Sequence, residues 1–74
     1  MKIINEDLDI RDFKAWSGAV ETQKRIIEED KWREFNEWME EIFPDGLTET
    51  KLNDILWFEE EWVFEELGIK VEKI

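Results

Sequence analysis

Twenty-one Asp and Glu stand among 74 residues, against ten Lys and Arg, with neither His nor Cys. The chemistry open to this chain is therefore that of carboxylates. Paired carboxylates perform general acid–base catalysis, and glycoside hydrolysis runs on two of them. Glu59 and Glu66 are the candidates here, because both fall on the apolar arc of a helix, where burial would raise their pKa. A chain this short has little room for a substrate cleft beside a core, so a position at the core's rim is the expectation for both. A non-enzymatic protein follows. Without His or Cys there is no disulfide framework, no zinc site of the usual kind, no thiol nucleophile and no imidazole base. Asn5-Glu6-Asp7-Leu8-Asp9 has the alternating oxygens of a calcium loop. It lacks Gly at the sixth position, where Ile10 stands, and Glu at the twelfth, where Trp16 stands. The sequence has no phosphate-cradling Gly loop and no glycosylation sequon, and no cofactor is expected.

The carboxylates are not spread evenly. Residues 34 to 66 hold twelve acids and one base, Lys51, so that segment alone carries −11. The other residues hold nine acids and nine bases and sum to zero. A charge run is usually a solvated face. Against that reading stands a cost: like charges four apart on a helix, as at Glu37/Glu41 and Glu61/Glu65, each destabilise it by a few tenths of a kcal/mol. Solubility of a small domain needs a net charge of only about 2–8 in magnitude. The excess implies a field that speeds association with a basic surface, in a salt-dependent way. Basic surfaces of that kind occur on proteins that bind nucleic acid. Rows of carboxylates on helices would imitate a phosphate track. The same field repels nucleic acid and anionic membranes, so neither is an expected direct partner.

Elements that could carry such rows can be read from hydropathy. Phe13, Trp16, Ala19, Val20, Gln23, Ile26 and Ile27 recur every three or four residues and predict a first helix, starting near Ser17 because Gly18 interrupts the stripe. The Ser17 hydroxyl is a candidate cap, and Glu28-Glu29-Asp30 marks a break or a solvated helix end. Trp32, Phe35, Met39, Ile42 and Phe43, flanked by Trp38, predict a second helix that Pro44-Asp45-Gly46 stops. Thr48 is a good N-cap for a third, with Leu47 and Leu52 placed as a hydrophobic staple. Its core face is Leu52, Ile55, Leu56, Trp62, Val63 and Leu67, and Gly68 suits the position just past its end. Leu8-Asp9-Ile10 and Ile69-Lys70-Val71-Glu72 alternate, which makes the terminal segments candidates for a short two-stranded ribbon. The expectation is a single mostly α domain over residues 1–74: three helices, with that ribbon as an option. Ten aromatics, five Trp and five Phe, supply a dense core for so small a chain.

On the third helix Trp57 and Phe64 lie about 120–140° from Leu52, off the core arc and one heptad apart. Either the helix is central and covered on two sides by its own chain, or the pair is an exposed interface anchor of the kind Trp and Phe often provide. The candidate partner-binding residues are therefore Glu34, Glu37, Glu40, Glu41, Trp57, Glu60, Glu61, Phe64 and Glu65. A homodimer joined through the aromatic pair is the rival use of that surface. No apolar run approaches the ~20 residues of a membrane span. The start lacks the order of a secretory signal, and the missing cysteines fit a reducing compartment. A cytoplasmic location is expected.

Phe13-x-x-Trp16-Ser17-Gly18-Ala19-Val20-Glu21-Thr22, Phe43-Pro44-Asp45-Gly46-Leu47-Thr48-Glu49-Thr50 and Asn53-Asp54-Ile55-Leu56-x-Phe58-Glu59 together resemble small uncharacterised proteins of bacteriophages and mobile elements of Gram-positive bacteria. The resemblance covers residues 8 to 69 and rests on core and turn positions, so it transfers no site. In size and acidity the chain is also similar to phage inhibitors: anti-CRISPR proteins, restriction inhibitors and the uracil-DNA glycosylase inhibitor. That likeness is one of composition. What both imply is a phage accessory protein that binds a host or defence protein.

Overall fold

A computed structural model describes residues 2–3 and 6–70, with side chains from residue 8 onward, and it is mostly helical. Two short strands, β1 (Lys2–Ile3) and β2 (Glu6–Asp7), pair antiparallel with Lys2 opposite Asp7 and Ile3 opposite Glu6. Four helices follow: α1 (Ala19–Glu28), α2 (Trp32–Ile42), α3 (Glu49–Phe58) and α4 (Glu60–Leu67). The pairing at the start of the chain is thus local. Leu8-Asp9-Ile10 is not strand and runs into a turn closed by the Asp12 amide on the Asp9 carbonyl. Ile69 and Lys70 are not strand either, and the rest of that expected terminal strand lies outside the described residues.

Helix ends follow local chemistry. The Thr48 hydroxyl accepts from the Lys51 amide at 3.0 Å, and Leu47 and Leu52 are both buried, as the capping and staple signals require. Gly68 sits in the left-handed region at φ 69°. Its amide donates to Glu65 and that of Ile69 donates to Phe64, which together close a Schellman motif. The same motif ends α1 without a glycine. Asp30 takes φ 57°, donating to Ile27 while Lys31 donates to Ile26. The start of α1 differs from the expected cap. Gly18 is the N-cap, no side chain caps the helix, and Ser17 is itself left-handed at φ 53°.

The expected third helix is two helices. Glu59, at φ −111° and ψ 28°, ends α3 and opens α4. A new N-terminus here suits the run Glu59-Glu60-Glu61, since the helix dipole favours acids in a first turn. The break also rotates the buried face. With Leu52 at 0° on a wheel, α3 buries residues near 0°, 40°, 100° and 300°, whereas α4 buries Val63, Leu67 and Phe64 at about 20°, 60° and 120°. Trp62, expected in the core, is 41% exposed, and Phe64 takes its place at 4%.

One core joins all the elements, from Ile10 and Phe13 through Ala19, Ile26, Phe35, Met39, Leu52, Leu56, Val63 and Phe64 to Ile69. The irregular segment from Leu8 to Gly18 packs into it, and amide side chains hold the backbone of Ile10, Phe13 and Trp16. Asn36 on α2 accepts from the Ile10 amide at 2.9 Å, and Gln23 on α1 donates to the carbonyls of Ile10 and Phe13. Fully buried Asn53 on α3 clamps both the N–H (3.0 Å) and the carbonyl (3.3 Å) of Trp16. Each of the first three helices thus contributes one amide to hold this segment in place.

Candidate functional site

Of the twelve acids between residues 34 and 66, eleven are exposed and Asp54 is half-buried. On α2, Phe35 and Met39 face the core. Glu34, Glu37 and Glu41 lie at spacings of three and four, so they form one row on the outer side, with Glu40 beyond it. On α4, Glu61 and Glu65 are one turn apart and exposed. Neither α2 nor α4 has a basic residue in its last turn, and their last turns carry Glu40, Glu41, Glu65 and Glu66 instead. An acid at a helix C-terminus opposes the dipole and forfeits the roughly 0.3–1 kcal/mol that a cation would gain there.

The two acidic helices meet through aromatics. Trp38 on α2 and Trp62 on α4 pack edge-to-face, centroids 4.9 Å apart and planes at 71°, and Trp38 rests in turn on Phe35 at 6.0 Å. Exposed Glu34 and Glu41 lie one turn to either side of Trp38, and Glu59, Glu65 and Glu66 do the same for Trp62. This half-exposed pair, with exposed acids one turn away on both helices, is not among the residues the sequence pattern singles out. The pattern puts Trp38 only at the flank of the second stripe, and an unbroken third helix puts Trp62 in the core, a phase that the break at Glu59 shifts.

Other candidates separate from this face. Phe64 is buried, with Ile69 turned back over it by the Gly68 motif. It is no exposed anchor, and it does not pair with Trp57. Trp57 is 40% exposed, stacks on Phe58 at 4.6 Å, and lies over Gly18. A Cβ at Gly18 would come within 2.3 Å of the indole, so this close approach needs glycine. Phe58 is the most exposed large apolar residue described, at 66%. Glu60 points to the opposite side of α4. With Phe64 it lines an open groove of about 290 Å³ against Glu21, Lys24, Arg25 and Glu28 of α1. Glu59 and Glu66, expected on the apolar arc, are both exposed.

A second charged cluster lies at the start of α2. Asp9 receives Nε and Nη2 of Arg11, at 3.2 and 2.8 Å, and the Arg11 guanidinium stands 3.5 Å over the Trp32 ring. The Arg11 hydrogen bonds hold the Asp9 carboxyl well below the usual carboxylate range, and Asp9 in turn raises the Arg11 pKa. Trp32 also donates its Nε1 proton to Asp30 at 3.1 Å.

Among the described residues, no group of three or more carboxylates is arranged to hold a metal ion, and no helix is long and apolar enough to cross a membrane. Comparison with protein-family models, with curated proteins and with solved structures finds no match to this chain.

Proposed function

We propose that this is a phage-encoded, non-enzymatic binding protein. In this reading it works in the host cytoplasm, where it inhibits a nucleic-acid-processing or defence protein by presenting an acidic helical face in place of nucleic acid. One observation carries the reading: the whole net charge resides in residues 34 to 66, and nearly every acid there is exposed. Acids at the unfavourable ends of α2 and α4 support it, since stability alone would place cations there. The phage origin rests on the resemblance of the turn and core residues. The contact surface is Glu34, Glu37, Glu40 and Glu41 of α2 with Glu61 and Glu65 of α4. Glu60, Trp57 and Phe64 fall outside it.

Pull-down from host lysate, eluted with duplex DNA, tests the proposal. The expected outcome is that DNA releases nucleic-acid-binding proteins from the wild type, and that a variant with Glu34, Glu37, Glu41, Glu61 and Glu65 changed to Gln does not retain them. Recovery of the same proteins by both versions would rule the acidic face out.

The Trp57–Phe58 stack supports a second reading, a structural or assembly module that dimerises through its own aromatic patch. Light scattering on the wild type and on Phe58→Ser decides it. A monomer in both cases leaves that reading without a basis.

A further inference from the structure

We propose that the Trp38–Trp62 pair is a receptor for an arginine side chain of the partner. The inference rests on the acidic-face reading and names the side chain that this face selects. Trp62 is 41% exposed, and its partner Trp38 is fixed from behind by Phe35. Trp62 thus keeps indole surface open to solvent beside this contact, and a cation placed over an indole is attracted by the ring quadrupole. Charge complementarity fixes the sign of the occupant, because exposed Glu34 and Glu41 stand one helical turn from Trp38, and Glu65 and Glu66 one turn from Trp62.

The choice of arginine over lysine follows from shape. A guanidinium is flat, stacks on an indole, and still forks to a carboxylate, whereas an ammonium is a compact, strongly hydrated point charge. The chain builds the same arrangement elsewhere from its own residues: Arg11 lies 3.5 Å over Trp32 while its Nε and Nη2 hold Asp9. At Trp38–Trp62 the aromatic and the carboxylates come from this chain and the guanidinium from the partner.

Oligo-arginine and oligo-lysine peptides of equal length and charge, titrated into the full chain at physiological salt, test the idea. The readout is the indole N–H resonances together with the affinity. The arginine peptide is expected to bind more tightly and to shift the Trp38 and Trp62 indoles while leaving Trp57 in place. Trp62→Leu is expected to weaken the arginine peptide by about two- to fivefold, with no change for the lysine peptide. Trp62→Tyr, which keeps a π face, is expected to retain part of the preference, and it serves as the test should the Leu variant fold poorly. Equal affinities for the two peptides, unaffected by the Trp62 variants, would overturn the arginine receptor and leave the acidic face standing. If neither peptide binds, both fall.

Discussion

Asn53 is a polar residue at zero exposure on α3, and its amide accepts from the Trp16 N–H and donates to the Trp16 carbonyl. Asn53→Ala leaves that N–H without a partner inside the fold, while the carbonyl keeps the Ala19 amide at 3.3 Å. The expected loss is about 1–3 kcal/mol, the cost of an unsatisfied buried group, read by denaturant unfolding. Thr22 is also fully buried, but its hydroxyl has no hydrogen-bond partner, so the two buried polar side chains are opposites in what they contribute. Asp9 gives a pH signature. Its carboxyl is held below the usual range chiefly by the Arg11 hydrogen bonds, so the ionised form is favoured in the folded state. A depressed pKa contributes stability that is complete above the unfolded value of about 4 and is lost as pH falls below it. NMR titration is expected to show Asp9 ionising well below pH 4, and Arg11→Gln to return it toward the ordinary value. An unchanged Asp9 titration in that variant would mean that another group holds it.

At the scale of elements, the legible parts of the sequence were those with local causes. Thr48 with Leu47 and Leu52, Gly68, and Pro44-Asp45-Gly46 mark boundaries through capping, left-handed backbone or a missing N–H, and the structure has boundaries at all three. The break at Glu59 was illegible because glutamate is a good helix former and nothing nearby forbids continuation. Its consequence, the exchange of Trp62 for Phe64 in the core, hid the aromatic seam of the candidate site. Ser17 is left-handed with no glycine to signal it, whereas Asp30 closes a local helix-end motif where Glu28-Glu29-Asp30 marks a break. The charge rows, by contrast, needed only the sequence. Gly18 and Gly68 test this division between local and tertiary causes. Gly68 has φ 69° and open space around its Cα, so Gly68→Ala carries a backbone cost alone, about 1 kcal/mol. Gly18 has ordinary helical angles, and its constraint is the Trp57 indole. Gly18→Ala is expected to expel that indole, red-shifting Trp fluorescence, while Gly68→Ala lowers the melting temperature without such a shift. A red shift in both variants would show that the end of α4 also governs Trp57.

For the whole molecule, the −11 charge acts on folding and on binding in opposite directions. Concentrated on α2, α4 and the residues between them, it repels itself in the folded state, at Glu37/Glu41 and Glu61/Glu65 most directly. Salt screens that repulsion over a Debye length of about 10 Å at 0.1 M. Added salt should therefore raise the melting temperature while it weakens a basic partner. Neutralisation should act the same way. Glu37→Gln with Glu65→Gln removes one member of each like-charged pair, and the expected gain is a few tenths of a kcal/mol per pair. Affinity for a cationic peptide is expected to fall, and to fall less steeply with salt than that of the wild type. Thermal melts and peptide titrations across a salt series measure both quantities on the same two proteins. A variant that is less stable, or that binds as tightly with the same salt slope, would show that these carboxylates serve the fold and that the field lies elsewhere. Stability that rises while affinity falls marks charge held at some cost to the fold, and the change in salt slope says whether these carboxylates carry the field that meets a cationic partner.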